Sequence, residues 1–385
     1  MVNPIFSGNK KLVIIMAGLP ARGKTFLSLK LQRYLRWLGY EVDVFNVGKY
    51  RREELGVESS NSEFFNPKFP KFRAERERVA QKCFDDLLEW LKTAGNIAIY
   101  DATNVTEQRR DYLVQRCRDN DFNFVFIENI CDSPDILDKI VDIKIKNSPD
   151  YMDKDQKTAK EDFLKRMGYY ADVYEEIGPE HSAIKVYNFG EKIEKKFFDE
   201  NRILTDIASF VGSVNFTKKN VYLSRHGETF FNEQDRIGGD SELTDKGVKS
   251  AEKMADYFSG RDLIIFTSAK IRTIQTGSFF AQDKISRVDL DEINSGICDS
   301  MTYEEISDRY PDISSARSLD KFNFCYPDGE SYQDLIHRVR RVVADIESQK
   351  KDILIVAHRA VNRCILSYFV PTEFRDVPYI DMPLD

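Results

Sequence analysis

Short apolar segments alternate with longer amphipathic segments through both halves of the chain. In the first half, strand-like segments lie at residues 11–18, 41–47, 96–104, 122–128 and 183–189, and helical patterns lie at 24–39 and 73–95. A second series starts at Val221 and includes the apolar segments 262–268 and 352–358. Because strands that alternate with helices pair in parallel and are covered on both faces, this pattern predicts doubly wound three-layer α/β architecture.

The length of the chain favours two such domains. At 385 residues it exceeds what a single hydrophobic core usually supports. The segment 191–212 is amphipathic and is predicted to form one helix that closes the first domain, and 213–220 is predicted to be a linker. The predicted domains are therefore residues 1–214 and 215–385.

Composition and charge exclude several classes of function. The chain is 42% hydrophobic and 31% charged with a net charge of −7, which argues against a general nucleic-acid binder. The longest apolar run, residues 12–19, is too short to span a bilayer, and the N-terminus does not have the pattern of a secretion signal. Six cysteines occur without CxxC pairs, as in reduced cytosolic proteins. We expect a cytoplasmic protein that binds neither nucleic acid nor membrane.

A phosphate-binding loop follows the first strand. The segment GLPARGKT fits the pattern GxxxxGK[ST] and lies between a predicted strand and a predicted helix, where its backbone can surround anionic phosphates. Lys24 would reach the β- and γ-phosphates, and Thr25 would bind Mg²⁺. The residues predicted to bind the nucleotide are Gly18, Leu19, Pro20, Ala21, Arg22, Gly23, Lys24 and Thr25.

Arginine-rich segments indicate that the acceptor itself carries a phosphate. They lie at residues 50–53, 74–78, 107–110 and 163–170, and guanidinium groups suit phosphate recognition. The alternative for each arginine is a solvated position on a helix face.

Asp101 lies at the carboxyl end of a predicted strand, where α/β sheets bind their ligands. It is predicted to act as a base or as a Mg²⁺-associated carboxylate. The alternative is a helix cap before residues 105–110.

A histidine between Arg225 and Gly227 indicates a second site. His226 follows a strand-like segment, and an imidazole nitrogen can attack phosphorus to give a phosphohistidine that water later hydrolyses. Arg225 and Arg272 would hold the phosphoryl oxygens as charge develops in the transition state. Gly227 would allow a phosphate to approach the backbone closely.

Two more residues complete this predicted chemistry. His358 also follows an apolar strand, so the two histidines at the ends of parallel strands can converge on one phosphate. Glu292 is the candidate general acid that protonates the departing alkoxide. His181 and His337 are interpreted as structural.

The combination of motifs resembles a known enzyme family. The sequence RHGE with a distant glutamate and histidine resembles the histidine phosphatase (phosphoglycerate mutase-like) superfamily. With the phosphate-binding loop ahead of it, the chain resembles the bifunctional 6-phosphofructo-2-kinase/fructose-2,6-bisphosphatase family over nearly its whole length. The stretches that carry the resemblance are GLPARGKT, NVGKYRRE, YDATNVT, NSPDY, LSRHGET, RIGGDSELT, MTYEEI and YPDGESYQDL.

For the first domain, the resemblance implies a kinase that uses ATP with Mg²⁺ to phosphorylate the 2-hydroxyl of fructose 6-phosphate. It implies that Asp101 and Cys131 are active-site residues, with Thr25 and Asp101 near the metal ion. The implied contacts with fructose 6-phosphate are Arg51 or Arg52, Arg76, Thr103, Arg109, Arg166 and Tyr170.

For the second domain, the resemblance implies a phosphatase without a cofactor that removes the same phosphate from fructose 2,6-bisphosphate. His226 matches the nucleophile, Glu292 the proton donor, and His358 the residue that stabilises the transferring phosphoryl group. The implied substrate contacts are Arg225, Asn232, Gly238, Arg272, Tyr303, Arg317, Lys321, Tyr332 and Arg363. The resemblance also suggests a homodimer.

The chain departs from the family pattern in both halves. Ile140 and Ile145 stand where the family has an Asn and a Lys that contact the nucleotide, and Lys144 and Lys146 flank the second position. Near the sugar-phosphate pocket, Arg359 replaces Gln and Cys325 replaces Arg. The chain stops at DMPLD, where the family continues with a further strand and a regulatory tail. The second domain is therefore expected to lack its last strand, to have a less protected sheet edge and to lack a C-terminal phosphorylation switch.

The leading hypothesis is a bifunctional enzyme that sets the level of fructose 2,6-bisphosphate. A phosphatase with a weakened kinase half is an alternative because of Ile140 and Ile145. A first domain that binds ATP as a regulatory module without consuming it is another, and ADP release dependent on fructose 6-phosphate separates the two. A phosphoglycerate mutase fused to an unrelated kinase is the last alternative, and the stretches YRRE, NSPDY and GESYQDL count against it.

Overall fold

The computed structural model describes residues 11–152, 155–198 and 201–384. The chain divides into two compact units between Val214 and Asn215. Each unit is built on its own sheet, and helices alternate with strands along the chain. Among the described residues, no helix combines the length and the apolar character that crossing a bilayer requires.

The sheet of the first unit has its long apolar strands in the middle. The strands are β1 Leu12–Ala17, β2 Val42–Asn46, β3 Ile97–Asp101, β4 Asn123–Ile130, β5 Ala183–Tyr187 and β6 Lys192–Lys196. Their order is β2-β3-β1-β4-β5-β6, and all neighbours are parallel except β5 and β6. All six residues of β1 are buried, because helices cover both faces of a central parallel strand.

Helices cover both faces of this sheet. They are α1 Lys24–Trp37, α2 Val47–Leu55, α3 Pro70–Thr93, α4 Glu107–Asp119, α5 Pro134–Asn147, α6 Gln156–Ala171 and α7 Arg202–Ser213. On one face, Phe84 and Leu87 of α3 pack against Val13 and Tyr100 of the sheet. Elsewhere α1 packs against α7, and the ring of Tyr34 stacks on a phenylalanine of α7 at a centroid distance of 4.0 Å. The first unit thus has the predicted α/β layers.

The helix predicted over 191–212 is wrong for its first part. The chain instead forms β6, which pairs antiparallel with β5 through a turn in which Asn188, Phe189 and Gly190 all have positive φ. All five residues of β6 are exposed, so this edge strand has no alternation of apolar and polar side chains that would reveal it. The helix begins only at Arg202, after its N-cap Asn201.

The second unit has a parallel sheet in which strands that are far apart in sequence are neighbours. Its strands are β7 Val221–Arg225, β8 Leu263–Thr267, β9 Lys284–Ser286 and β10 Asp352–Ala357. Their order is β7-β10-β8-β9. β10 lies between β7 and β8 and is almost completely buried, whereas the residues of β7, at one edge, remain half-buried.

The helices of the second unit follow these strands closely. They are α8 Phe230–Glu233, α9 Asp245–Tyr257, α10 Ile271–Ser278, α11 Tyr303–Arg309, α12 Pro311–Leu319, α13 Tyr332–Ser348 and α14 Arg359–Phe369. His226 directly follows β7, and His358 lies between β10 and α14 as the N-cap of that helix. The parallel pairing of β7 with β10 therefore places both histidines at the same edge of the sheet.

Candidate active sites

The loop between β1 and α1 has a compact conformation that requires glycine. Gly18 has a φ of +118°, and its N–H donates to the carbonyl oxygen of Thr103 at 2.9 Å. A Cβ atom at Gly18 would lie 2.4 Å from the carbonyl oxygen of Asn129. Gly23 precedes α1 with a φ of +78°. The loop thereby brings its backbone to the N-terminus of α1, which is the arrangement of a phosphate-binding loop.

Lys24 is buried within this loop. Its Nζ donates to the carbonyl oxygens of Gly18 at 2.8 Å and Leu19 at 2.6 Å. Burial lowers the pKa of the Lys24 ammonium to about 7, although the charge of Asp101 acts in the opposite direction. Thr25, the next residue, is exposed, so its hydroxyl is accessible to a ligand.

Asp101 lies at the end of β3, directly beside Asn46 at the end of β2. Its carboxylate accepts a hydrogen bond from the Asn46 side-chain amide, and it is close enough to Lys24 and Lys144 for its charge to act on both. The N-cap of α4 is Thr106, so the alternative of a helix cap is wrong for Asp101. The carboxylate instead faces the phosphate-binding lysine.

Three arginines of the arginine-rich segments converge on Asp150. Arg51 Nη2 lies 2.8 Å from each carboxylate oxygen, Arg52 Nη1 lies 3.3 Å from Oδ1, and Arg166 Nη1 lies 3.4 Å from Oδ2. Burial raises the pKa of Asp150, but the arginines outweigh it and lower this pKa to about 2. The Nε groups of Arg51 and Arg166 are buried without a hydrogen-bond acceptor in the described structure. The cluster therefore has an excess of positive charge and of unused donors.

The ring of Phe65 brings two arginines of this cluster together with Arg76 and Tyr170, two further predicted substrate contacts. The guanidinium carbon of Arg166 lies 3.7 Å from the ring centroid, that of Arg51 lies 5.3 Å from it, and that of Arg76 lies 6.0 Å from it. The ring centroid of Tyr170 is 5.9 Å from that of Phe65. Arg51, Arg76, Arg166 and Tyr170 thus surround one aromatic ring.

Arg109 belongs to a separate hydrogen-bond network. Its Nε donates to Asn104 Oδ1 at 3.0 Å, Nη1 to Glu77 Oε1 at 2.9 Å, and Nη2 to the Tyr100 hydroxyl at 3.2 Å. Burial alone would lower the pKa of Arg109, but Tyr100 and Glu77 outweigh it and raise the pKa. Two guanidinium N–H groups remain for a substrate.

Cys131 follows β4 and is buried. Burial raises the pKa of its thiol and outweighs the contact with the Ser133 carbonyl and the charge of Arg22. The thiol is therefore protonated at neutral pH and is not prepared for nucleophilic attack. Its closeness to Arg22 places it beside the phosphate-binding loop.

The two isoleucines that depart from the family pattern are buried side chains of α5. Ile145 packs with Val141, Tyr151 and Phe163, and Ile140 is 8% exposed. Neither side chain can form a hydrogen bond with a nucleotide.

Lys144 lies on a different side of α5 from Ile145. It is exposed to solvent, and the surrounding protein lowers the pKa of its ammonium by desolvation and through the charge of Arg166, against the effects of Asp101 and Asp150. The ammonium group of Lys144 forms no hydrogen bond or ion pair with any residue that the structure describes. It thus presents an unpaired cation to Asp101 and Lys24.

In the second unit, the two predicted catalytic histidines meet at the ends of adjacent strands. The ring centroids of His226 and His358 are 5.2 Å apart, and the ring planes are inclined at 58°. The backbone N–H of His226 donates to the carbonyl oxygen of Ala357 at 3.1 Å, which ties the two strand ends together. Both imidazoles are buried.

His226 is a neutral imidazole with a free Nε2. Its Nδ1 lies 2.7 Å from the carbonyl oxygen of Gly227, which can only accept, so Nδ1 carries the proton. Burial lowers the pKa of His226 to about 3, and the charges of Arg272 and Arg225 act in the same direction against the Gly227 hydrogen bond. The lone pair on Nε2 is therefore available for attack on phosphorus.

His358 has the opposite tautomer. Its Nδ1 accepts a hydrogen bond from Arg272 Nε at 3.3 Å, and its Nε2 donates to Ser268 Oγ at 2.8 Å. Burial and the charge of Arg272 hold the pKa of His358 well below its usual value. Arg272 Nη1 also donates to the carbonyl oxygen of Gly239 at 2.9 Å. One guanidinium group thus fixes His358 and retains N–H groups for a phosphate.

Glu292 lies beside the N-terminus of α14. Its Oε1 accepts hydrogen bonds from the backbone N–H groups of Ile293 at 3.0 Å and Ala360 at 3.3 Å. No described residue forms a hydrogen bond with Oε2. The charge of Glu292 acts on Arg272, which places the carboxylate near the two histidines. One oxygen of the predicted general acid is therefore free to face a substrate.

Four cations form what we call the cation pocket: Arg317, Lys321, Arg359 and Arg363. Burial, together with the charges of Arg317, Arg363 and Arg359, lowers the pKa of Lys321 to about 8. Lys321 Nζ donates to the carbonyl oxygen of Pro378 at 3.2 Å. Lys321 is therefore surrounded by positive charge.

Two predicted tyrosine contacts border the cation pocket. Arg317 Nη2 donates to the Tyr303 hydroxyl at 3.0 Å, and Arg363 Nη1 donates to the Tyr332 hydroxyl at 3.3 Å. Arg363 Nε also donates to the carbonyl oxygen of Ile380 at 2.6 Å. The structure thus brings Tyr303, Arg317, Lys321, Tyr332 and Arg363 into one region.

Two other predicted contacts already have structural roles. The Asn232 side-chain oxygen accepts hydrogen bonds from the N–H and hydroxyl groups of Thr229 in a capping box, which leaves only its NH₂ group for a substrate. Gly238 has a φ of +68°, and a Cβ atom there would lie 1.8 Å from Asp299 Oδ1. Gly238 is therefore needed for the loop itself.

Gly227 has a different role from the one predicted. A Cβ atom at this position would lie 2.4 Å from the carbonyl oxygen of Gly247, at the start of α9. The absent side chain permits close packing of two backbone segments. This close packing alone explains the glycine, and the predicted approach of a phosphate to the backbone stays a prediction.

Several residues that organise the sites were not found from the sequence. Asp150, Phe65 and Ser268 each hold a predicted site residue in place. Asp150 lies within the stretch NSPDY, which the resemblance singled out without assigning it a role. Phe65 and Ser268 carry no comparable sequence signal.

Comparisons with known proteins cover both units. Residues 4–211 match the family model described as 6-phosphofructo-2-kinase, and residues 221–384 match the histidine phosphatase superfamily, branch 1. The chain is 38% identical over 390 residues to the Caenorhabditis elegans 6-phosphofructo-2-kinase/fructose-2,6-bisphosphatase, covering 97% of this chain and 84% of the relative.

Two human relatives give the same result. The chain is 39% identical to Homo sapiens 6-phosphofructo-2-kinase/fructose-2,6-bisphosphatase 3, covering 98% of this chain and 74% of the relative. It is 38% identical to the human form 1, covering 98% of this chain and 81% of the relative. The chain therefore belongs to the bifunctional 6-phosphofructo-2-kinase/fructose-2,6-bisphosphatase family.

Proposed function

We propose that the two sites carry out opposite reactions on the 2-position of one sugar phosphate through the residues described above. The first unit transfers the γ-phosphoryl group of ATP to the 2-hydroxyl of fructose 6-phosphate. The second unit hydrolyses the 2-phosphate of fructose 2,6-bisphosphate. The observation that carries this proposal is that each unit combines a phosphate-transfer site with a cluster in which cations outnumber anions.

In the kinase, the loop from Gly18 to Thr25 holds the nucleotide. Without a ligand, Lys24 Nζ donates to carbonyl oxygens of the loop. When the nucleotide binds, Lys24 donates to phosphate oxygens instead. Among the described residues, no group of three or more His, Cys, Asp or Glu side chains could hold a metal ion. Thr25 and Asp101 would therefore bind Mg²⁺ together with the nucleotide's own oxygens, and the ion would neutralise charge on the phosphates.

The acceptor occupies the arginine cluster. Arg52 and Arg166 bind the 6-phosphate of fructose 6-phosphate, because they are only loosely held by Asp150. Arg51 is the more deeply buried of the adjacent pair and is held by both carboxylate oxygens, so it supports the cluster. Arg76 and Tyr170 contact the sugar around Phe65. Thr103 and Arg109 complete the predicted contacts.

The roles of Asp101 and Cys131 follow from their surroundings. Asp101 accepts the proton of the 2-hydroxyl or balances the charge of Lys24 and the metal ion, and Asn46 fixes its orientation. Cys131 shapes the site beside Arg22 as a neutral thiol.

In the phosphatase, Nε2 of His226 attacks the phosphorus of the 2-phosphate. The bond between phosphorus and the sugar oxygen breaks, and Glu292 donates a proton to that oxygen, so fructose 6-phosphate leaves. Arg225 and Arg272 stabilise the charge on the phosphoryl oxygens during transfer. The Nε2–H of His358, which donates to Ser268 Oγ without a ligand, exchanges that acceptor for a phosphoryl oxygen.

Water then restores the enzyme. A water molecule that gives its proton to the Glu292 carboxylate attacks phosphorus, the bond from phosphorus to His226 Nε2 breaks, and inorganic phosphate leaves. The sugar is bound by Asn232, the loop at Gly238, Tyr303, Tyr332 and the cation pocket.

A weakened kinase or an ATP-binding regulatory module is the second candidate for the first unit, and the names of the relatives do not favour it. It is retained for testing because Ile140 and Ile145 are buried apolar side chains. The deciding experiment follows ADP release from MgATP with and without fructose 6-phosphate. We expect release that depends on fructose 6-phosphate and is lost in Lys24→Met. ATP binding without such release contradicts the kinase assignment.

We further propose that the enzyme is a cytoplasmic homodimer that binds neither nucleic acid nor membrane. The net charge of −7 supports the absence of nucleic-acid binding, and the six free cysteines support the cytoplasmic location. The homodimer is proposed from the family resemblance alone. Light scattering tests the oligomeric state, and a mass equal to that of one 44.7-kDa chain contradicts the dimer.

A further inference from the structure

The segment that carries Glu292 has no regular secondary structure of its own. Glu292 lies between two short 3₁₀ helices, Val288–Leu290 and Gly296–Cys298. His226 and His358, by contrast, directly follow strands of the sheet. A general acid must be held within hydrogen-bond reach of the oxygen that it protonates. The position of Glu292 therefore depends on side chains from other parts of the second unit.

Arg338 of α13 uses all five of its guanidinium N–H groups on this segment and on Glu330. Nη1 donates to the carbonyl oxygens of Asp289 at 3.0 Å and Asp291 at 2.8 Å, and Nη2 donates to that of Glu292 at 3.3 Å. Nε and the second N–H of Nη2 donate to the two carboxylate oxygens of Glu330, each at 2.8 Å. The planar fork of an arginine can bind these acceptors together, whereas the ammonium group of a lysine cannot.

Glu330 holds the same segment on the other side of Glu292. Its Oε2 accepts a hydrogen bond from the N–H group of Asn294 at 3.0 Å, and its own N–H group donates to the carbonyl oxygen of Asn294 at 2.9 Å. We call Arg338 and Glu330 the anchoring pair. The pair thus binds the backbone at residue 292 and on both sides of it. Because its two charges are opposite, it adds no net charge beside Glu292.

We propose that Arg338, supported by Glu330, is the positioning residue of the general acid in the phosphatase. This inference rests on the proposed function. When the anchoring pair holds the backbone, the N–H groups of Ile293 and Ala360 fix Oε1 of Glu292, and Oε2 is left for the sugar oxygen that departs. Arg338 acts through the position of Glu292 and contacts no reacting atom.

A double-mutant cycle between residues 338 and 292 tests this role. Rapid quench measures the rate of phosphohistidine formation at His226 with fructose 2,6-bisphosphate that is labelled in its 2-phosphate. For Arg338→Lys, which keeps the charge but not the fork, we expect this rate to fall roughly 10- to 100-fold, with little change in the half-saturating substrate concentration. In a Glu292→Gln background, the same substitution should change the rate by less than about 2-fold, because the acid is already absent. Arg341→Gln, an exposed arginine on the same helix, is the matched control.

The outcomes separate positioning of the acid from general damage to the fold. An unchanged rate in Arg338→Lys, an equal fall in Arg341→Gln, or a further fall of the same size in the Glu292→Gln background overturns the inference. Glu330→Gln is a second variant if Arg338→Lys does not fold. It should slow phosphohistidine formation when Glu292 is present and not when it is replaced, and equal slowing in both backgrounds overturns the inference.

The wild type tests the proposed function in the same experiment. If it forms no phosphohistidine from fructose 2,6-bisphosphate, the proposed function fails together with this inference. If the wild type does form phosphohistidine and the two substitutions act independently, only the positioning role of Arg338 is overturned.

Discussion

His226 and His358 lie with their ring centroids 5.2 Å apart, and they carry their protons on different nitrogens. The carbonyl oxygen of Gly227 holds the proton of His226 on Nδ1, whereas Arg272 and Ser268 hold that of His358 on Nε2. One imidazole therefore presents a lone pair and its neighbour presents an N–H group. The same type of side chain thus has two different hydrogen-bonding states in one site, which suits the proposed nucleophile His226 and the proposed phosphoryl-stabilising residue His358.

His226 and His358 should remain neutral well below the usual histidine pKa. The pKa of His226 is lowered to about 3, so its imidazole stays uncharged as the pH falls from 8 to 5, where an ordinary histidine gains a proton. The chain has only four histidines, which makes imidazole ¹⁵N NMR practicable. We expect one Nδ1–H signal, lost in His226→Gln, and one neutral Nε2–H signal from His358. An imidazolium signal for His226 at pH 6 contradicts the assignment.

Binding of the nucleotide should be coupled to proton uptake by Lys24. Because burial lowers the pKa of this lysine to about 7, about half of the molecules carry a neutral amine at pH 7 without nucleotide. Phosphate oxygens favour the charged form, so MgATP binding raises this pKa and takes up about 0.5 proton. Calorimetry in buffers of different ionisation enthalpy measures the uptake. The same uptake in Lys24→Met shows that the proton binds elsewhere.

Lys144 should supply the nucleotide contact that Ile145 cannot make. Its unpaired ammonium is near Asp101 and Lys24, so we expect Lys144→Ala to raise KM for ATP roughly 10-fold through loss of a charged contact. Lys146, two residues further along the same helix, is the matched control. Kinase assays over a range of ATP concentrations measure both variants, and equal effects in the two contradict the assignment to Lys144.

Asp150 should be essential to the arginine cluster. Replacement of this buried carboxylate by an amide leaves three guanidinium groups without their anion, so Asp150→Asn should destabilise the first unit by about 3–5 kcal/mol and raise KM for fructose 6-phosphate. Asp138→Asn, which removes an exposed partner of Lys160, should have little effect on stability because solvent screens this ion pair. Thermal unfolding and kinase kinetics measure both variants. A stability loss in Asp150→Asn no larger than in the control argues that the cluster is not held by this residue.

Much of the fold follows from the sequence because buried parallel strands have strong local signals. The segment LVIIMA is apolar throughout and forms the central strand β1, and GLPARGKT combines glycines with a helix start. The strand β6 was missed because its exposed residues carry no apolar alternation, and its pairing with β5 depends on a turn with positive φ values. Exposed edge strands are set by their partners rather than by their own pattern.

Site residues that belong to a sequence motif could be predicted. Residues that only hold another side chain in place were harder to predict. His226 and His358 lie at strand ends, and Lys24 lies at a helix start, all of which the sequence reveals. Asp150 and Phe65 act only through side chains that are distant in sequence, so no local pattern indicates their roles. The position of Lys144 near Asp101 likewise could not be predicted from the sequence. It depends on how α5 is oriented about its own axis, with Ile145 facing the core.

The central claim is that both units act on the same bisphosphate. We would incubate the wild type and His226→Ala with MgATP and fructose 6-phosphate and follow fructose 2,6-bisphosphate over time. The account predicts that the bisphosphate accumulates in the variant and reaches a lower level with the wild type, because only the wild type hydrolyses it. If neither protein forms any, while the wild type still hydrolyses added fructose 2,6-bisphosphate, the kinase half of the account is contradicted.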